Sequence, residues 1–231
     1  MGAQLAVLYQ NDDYGKDYLK GLKDGLGDMG AKMILSEVTY EVTDPTVDSQ
    51  VIALQATGAD TFVDVATPTF AAQAIRRTYD IGWKPLHVLN NVSDSISAVL
   101  EAAGLDKSVG LISARYFKDQ TDPEWQNDSG VKDFLAWMKA CSPDGDPADR
   151  YNVTGYSVAQ TLVAVLRQCG DDLTRENVMR QATNIKNLDL PMLLPGIRIN
   201  TSPTNYHPIR QLKLARFDGK HWVGFGGVIE D

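Results

Sequence analysis

The stretch Gln4-Leu-Ala-Val-Leu-Tyr9-Gln-Asn-Asp-Asp-Tyr14-Gly15 decides how the chain folds. Gln4–Tyr9 is a short, largely apolar run, and the polar residues after it read as a loop at the carboxyl end of a buried strand. Tyr14, Tyr18, Leu22, Leu26 and Met29 then recur at three- and four-residue spacing, which predicts one face of an amphipathic helix. Asp12 or Asp13 is placed to cap that helix, and Gly27 and Gly30 to end it.

The same alternation continues outward. Lys32–Val38, Thr61–Ala66, Leu86–Leu89 and Gly110–Tyr116 are strand-like. Between them, Val47, Val51 and Leu54 mark a helix opened by Asp44-Pro45-Thr46. Thr67-Pro68 starts another, carrying Ala71, Ala74, Ile75 and Tyr79, and Ile96–Ala102 is a short one. Five strands alternating with helices predict a parallel sheet covered on both faces.

Beyond Phe117 helices dominate. Val131, Phe134, Leu135 and Met138 form one apolar face; Val158, Leu162, Val165, Leu166 and Cys169 form a longer one. Thr174 and Glu176 introduce a third helix, with Val178 and Met179. These faces have almost no strands of their own to cover, so each must be buried against something else. The tail, Ile209–Phe217, Asp218-Gly219 and His221–Ile229, reads as a β-hairpin.

The chain has 231 residues and a formal net charge of −8, with 22 Lys and Arg against 30 Asp and Glu. That balance argues against a nucleic-acid partner, which needs a basic face. No apolar run approaches the roughly 18 residues of a membrane span. An export signal is not visible at the amino terminus, and a chain that opens inside a strand is expected to lack its front. Cys141 and Cys169 each fall late on an apolar helical face and are expected to be buried free thiols.

Catalytic and cofactor motifs find little support. Gly25-Leu-Gly27-Asp-Met-Gly30 spells a dinucleotide fingerprint, but it lies at the end of a helix, where carbonyls rather than amides are free. Asp12 and Asp13 follow the first strand as a phosphoacceptor pocket requires, but Asp64 stands mid-strand rather than at its end and Lys84 precedes the fourth strand. The three histidines, His87, His207 and His221, have no His or Cys at helix spacing, so no metal site and no cofactor are expected. His87 reads as a hydrogen-bonded core residue. His207 and His221 read as turn and surface residues.

What remains is a rim. Open parallel sheets bind ligands beyond the carboxyl ends of their strands. Here those ends carry Asn11-Asp12-Asp13-Tyr14-Gly15, Thr67-Pro68-Thr69-Phe70 and Asn90-Asn91-Val92-Ser93. Amides, hydroxyls and rings suit neutral hydrogen bonding and stacking of a small solute. The competing account is that Tyr14, Thr67 and the asparagines are only caps and turns.

Three strings in order resemble one known family: Tyr9-Gln-Asn-Asp-Asp-Tyr14-Gly15-Lys-Asp-Tyr18, Ala66-Thr67-Pro68 with Ala71-Ala-Gln73-Ala-Ile-Arg76, and Asp80-Ile-Gly82-Trp83. They are similar to the second lobe of type I periplasmic binding proteins, in the branched-chain amino-acid (Leu/Ile/Val) receptor family of ABC transporters. Gly155-Tyr156-Ser-Val-Ala-Gln160-Thr-Leu resembles that family's late first-lobe helix. The resemblance implies an α/β fold: a Rossmann-like parallel-sheet lobe over residues 4–116 and 210–231, plus an incomplete, mostly helical lobe over 117–209.

It implies further that a small organic solute is bound between two lobes without chemistry, for delivery to the membrane permease of an ABC importer outside the cytoplasm. A ligand-sensing domain of a signalling receptor on the same fold is the alternative. The expected ligand-binding residues are Asp13, Tyr14, Thr67, Pro68, Asn90 and Asn91. By resemblance Tyr14 stacks over the ligand, Thr67 or Pro68 follows the third strand, and Asn91 stands where the family has an acidic residue facing an amino group. An Asn there does not balance a buried ammonium. An aromatic or other organic acid, or an amide, is therefore expected over a simple α-amino acid. The incomplete lobe carries the further expectation that two copies pair through it.

Overall fold

A computed structural model describes residues 3–230. Seven strands form one sheet in the order β2-β1-β3-β4-β5-β6-β7. They are β1 (Leu5–Gln10), β2 (Ile34–Tyr40), β3 (Thr61–Val65), β4 (Leu86–Leu89), β5 (Ile112–Arg115), β6 (Gln211–Phe217) and β7 (Trp222–Glu230). The first five pair in parallel, with Val7 opposite both Glu37 and Val63, and Val63 opposite Val88. The chain folds as two compact units, 1–114 with 215–224, and 115–214 with 225–231. It therefore passes from one unit to the other three times.

In the first unit, α1 (Asp13–Leu26), α3 (Asp48–Gln55) and α4 (Pro68–Asp80) alternate with the strands. Two short helical pieces, α2 (Gly30–Met33) and α5 (Glu101–Ala103), complete it. Ala6, Leu8, Tyr40, Val47, Val51, Leu54, Phe62 and Ile75 are essentially sealed from solvent in its core. Each fully buried aliphatic or aromatic side chain of this kind contributes about 1.5–3 kcal/mol. Two predicted faces shift. Along α1 the buried positions are Gly15 and Leu19, whereas Tyr18 and Met29 are exposed. The helix ends at Gly27 (φ 52°), and the chain turns before Met29 is reached. On α4 Tyr79 is exposed, and Phe70, Ala72 and Thr78 join the core instead. Gly25 and Gly27 do lie at the end of α1, as expected from the sequence, whereas Gly30 opens the short α2.

The second unit holds α6 (Ser129–Cys141), α7 (Arg150–Cys169) and α8 (Arg175–Ala182). Its core joins Phe134, Met138, Val153, Val165 and Cys169 to Ile185, Leu190, Met192, Leu193, Ile197 and Ile199. An irregular segment, 183–199, thus supplies the layer that the helices lack in strands. The predicted α7 face is corrected by this packing: Val158, Leu162 and Leu166 are exposed, and Val153 and Ser157 turn inward with Val165 and Cys169. Cys169 is buried as expected, whereas Cys141 is exposed at the end of α6; both are free thiols.

The tail is the expected hairpin. Asp218 Oδ1 accepts from the amides of Lys220 and His221, both at 2.8 Å, and Gly219 takes φ 103°, a conformation that costs glycine little. The connection spans the four residues 218–221 rather than the three between the expected strands, because His221 closes the turn onto Asp218.

Candidate functional site

In the first unit the strand order changes direction at β1: β2 lies on one side and β3 on the other. At such a switch point the loops after β1 and β3 diverge to opposite faces and leave a rim open between them. The loop after β1 is short. Asp12 caps α1 by accepting from the Gly15 amide at 3.0 Å, and its carboxyl also accepts from the Gln10 side chain. These bonds, the Gly15 amide first and the Gln10 side chain second, hold the Asp12 carboxyl below its ordinary value. Gly15 is required by close approach, because a Cβ there would lie 2.0 Å from the Gln10 carbonyl oxygen. The turn presents Asp13 to solvent and leaves Tyr14 half-buried.

After β3, Thr67 stands at the start of α4 in extended conformation, with Pro68 at the first helical position. Thr67 does not cap the helix with its side chain. Its hydroxyl instead lies 3.1 Å from both Gln10 Oε1 and Tyr40 Oη, and its amide donates to Tyr40 Oη at 2.8 Å. Tyr40 in turn donates to Gln10 Oε1 at 3.1 Å. Burial pushes the Tyr40 phenol up, so it remains a neutral hydroxyl.

After β4, the Asn90 amide ties the rim together. Its Nδ2 donates to the carbonyls of Asp64 (3.1 Å) and Ala66 (2.8 Å). Its Oδ1 accepts from the amides of Val92 and Ser93 and from Tyr14 Oη at 3.0 Å. An amide side chain has two donors and two acceptor lone pairs; both donors are used and Oδ1 is shared among three donors, so no capacity is left over within the fold. Next to it, Asn91 Oδ1 accepts from Tyr18 Oη at 2.6 Å, and the Tyr14 and Tyr18 rings meet edge to face at 5.1 Å. Beneath the rim, buried Asp64 accepts from the Ala66 amide at 3.0 Å and lies 3.2 Å from His87 Nε2. His87 is thereby the hydrogen-bonded core residue that its place in a strand predicts.

The structure thus joins Tyr14 to Asn90, Asn90 to the chain just before Thr67, and Asn91 to Tyr18. Asp13 and Pro68 make no side-chain hydrogen bond among the described residues. The site expected from the sequence does not include Gln10, Tyr18, Tyr40 or Asp64; Tyr18 reads there as part of the α1 face, and Asp64 is weighed only for a phosphoacceptor pocket. Tyr40 was hidden because β2 runs two residues beyond its apolar stretch; a tyrosine at a strand's carboxyl end was the available signal. No group of His, Cys, Asp and Glu suited to a metal ion occurs among the described residues, and no helix there is long and apolar enough to cross a membrane.

Residues 1–221 match the model of a family of periplasmic binding proteins. The chain belongs to that family. No curated protein matches its sequence significantly. Among solved structures, a substrate-binding periplasmic protein from Ralstonia solanacearum is 23% identical with a TM-score of 0.79, over 99% of this chain and 61% of that one. A branched chain amino acid ABC transporter protein from Thermus thermophilus with bound valine is 14% identical with a TM-score of 0.81, over 100% and 61%. A solute binding protein of an ABC transporter from R. palustris, in complex with benzoate, is 17% identical with a TM-score of 0.72, over 100% and 61%. At these identities the likeness establishes the α/β periplasmic binding fold, and the chain spans about six-tenths of the length of these structures.

Proposed function

We propose that this member of the periplasmic binding family is the substrate-binding component of an ABC importer, working outside the cytoplasm and handing its solute to a membrane permease without chemistry. The observation that carries this reading is the rim at the β1/β3 switch point. Three loops from three parallel strands converge there through Tyr14, Thr67 and Asn90, and with the neighbouring Asn91 they bring a ring, a hydroxyl and an amide to the rim in place of a nucleophile and base. Tyr14, Thr67, Pro68, Asn91 and Asp13 are the proposed ligand-facing residues. Asn90 belongs to the site as the residue that sets Tyr14. Residues 4–116 with 210–231 are proposed as the ligand-binding lobe and 117–209 as part of the other.

The proposed ligand is an aromatic or other small organic acid, or an amide, rather than a simple α-amino acid. Asn91 and its Tyr18 partner form a neutral pair where an ammonium would need a carboxylate. A thermal-shift screen of aromatic acids, aliphatic acids and amino acids tests this reading. An organic acid or amide should raise Tm and Tyr14→Ala should lose that response. A preference for α-amino acids refutes the ligand class, and turnover of any hit refutes the receptor.

Pairing of two copies is the remaining proposal, supported by Val158, Leu162, Val163 and Leu166 exposed together on α7. Light scattering that finds only monomer at tens of micromolar would remove it.

A further inference from the structure

Outside the rim, the second unit holds a cavity of about 180 Å³ lined by Lys186, Asn200, Thr201, Ser202, Asn205 and Arg210. A water needs roughly 15 Å³ of such space, so there is room for a small ion and its hydration. Its lining contains two cations, two amides and two hydroxyls, and neither an aspartate nor a glutamate. In a chain of net charge −8 that is a local reversal of sign.

The lining is also set by internal hydrogen bonds. Asn200 Oδ1 accepts from the Asn187 amide at 2.8 Å, and Asn205 Oδ1 accepts from the His207 amide at 3.0 Å. Each side chain is thereby fixed with its oxygen engaged, which leaves its NH₂ end as the donor on offer. Thr201 is held from three directions. Its hydroxyl donates to the Ala182 carbonyl (2.7 Å) and accepts from the Ile185 amide (2.9 Å), and its own amide donates to the Ile185 carbonyl (3.0 Å). The Thr201 carbonyl in turn accepts from Lys186 Nζ at 3.3 Å, which tethers the ammonium and uses only one of its three donors. Reciprocal backbone bonds between Ser202 and Asn205, at 2.8 and 3.1 Å, close the turn that carries both. Among the described residues Arg210 has no hydrogen-bond or ion-pair partner, although it lines the same cavity.

We propose that this cavity is a binding site for a small oxyanion, a carboxylate or a phosphate. Lys186 and Arg210 supply the charge, and the NH₂ groups of Asn200 and Asn205 supply neutral donors. Charge-assisted hydrogen bonds of this kind are about twice as strong as neutral ones. The site is separate from the proposed solute rim and does not depend on it.

The test titrates inorganic phosphate and acetate separately against the whole chain, by calorimetry and thermal shift, with ionic strength held constant by chloride. Lys186→Gln, Arg210→Gln and the double variant are measured in parallel; both side chains are exposed, so the fold should persist, and far-UV circular dichroism checks that it does. A saturable response is expected to one anion or both, with Tm rising about 2–4 °C at several times the half-saturating concentration. Each single variant should raise that concentration about tenfold, the consequence of losing one charge-assisted bond. Phosphate without acetate assigns a tetrahedral anion, acetate without phosphate assigns a carboxylate, and equal responses assign a site for small oxyanions of either shape. No saturable response to either, or an unaltered response in the folded double variant, overturns the site.

Discussion

The Tyr14 phenol donates to Asn90 Oδ1 at 3.0 Å, joining the loop after β1 to the loop after β4 across 76 positions of sequence. The same oxygen accepts from the amides that open the 91–93 turn, so one side chain aims a ring and caps a turn together. Removing the hydroxyl alone, by Tyr14→Phe, should cost about 0.5–1.5 kcal/mol, the ordinary net value of one hydrogen bond. Asn90→Ala removes the cap and both donors to buried carbonyls, and should cost about 2–4 kcal/mol. Urea unfolding of the two variants checks the order. Equal losses would mean that Asn90 does no more than hold Tyr14.

Gly15 shows why the loop after β1 has its shape. A side-chain carbon there would meet the Gln10 carbonyl oxygen at 2.0 Å, well inside contact distance and against backbone that cannot swing away. Gly15→Ala should therefore cost about 3 kcal/mol or more. Gly21→Ala, on the same helix with nothing near its Cβ, should be neutral or stabilising by up to about 1 kcal/mol. Denaturation midpoints of the pair give the comparison; similar midpoints would contradict the clash.

The contrast between these two glycines also shows what the sequence could convey. Local patterns located the strands within two residues and put Val47, Val51 and Leu54 inside, because a periodic apolar face is enough to specify burial. The α7 face failed for a tertiary reason. Val158, Leu162 and Leu166 repeat at helix spacing as well as Val153, Ser157 and Val165 do, and only the 183–199 segment, which has no period, selects between the two stripes. The rim was legible in part. Polar residues at strand ends pointed to Tyr14, Thr67 and Asn90. The Gln10, Tyr40 and Thr67 cluster depends on strand order, which adjacent residues do not encode.

Acid should weaken the fold through its capping carboxylates. Asp128 is held below its ordinary value of 3.8, first by the Lys118 ammonium 2.8 Å away. Asp218 is held low by the amides of His221 and Lys220, and Asp12 by the Gly15 amide and the Gln10 side chain. A carboxyl whose folded pKa is depressed contributes stability that is complete above its unfolded pKa and lost as pH falls through the folded one. The urea midpoint should therefore not change through these groups between about pH 5 and 8, and should fall below about pH 4. Asp128→Asn keeps an N-cap oxygen for the Val131 amide and removes the charge, so it should flatten part of the acid limb. An acid limb identical to that of the parent chain would mean that the Lys118 contact contributes nothing.

The proposed ligand preference turns on the amide of Asn91. Asn91 Oδ1 accepts from Tyr18 Oη at 2.6 Å, so the pair is neutral and its amide NH₂ is a donor suited to a carboxylate or carbonyl. Asn91→Asp keeps the acceptor for Tyr18, exchanges the donor for a negative charge and changes little volume. If the rim binds an organic acid through this end, the variant should weaken that acid by about tenfold or more, since like charges are brought together and a donor is lost. It should gain affinity for compounds with a free ammonium by a comparable factor, the charge now having a partner. Competition between a matched acid and amine, measured by calorimetry on both forms, reads the exchange directly. An unaltered ratio would place Asn91 outside the ligand's reach and leave Tyr14 and Thr67 as the determinants to examine.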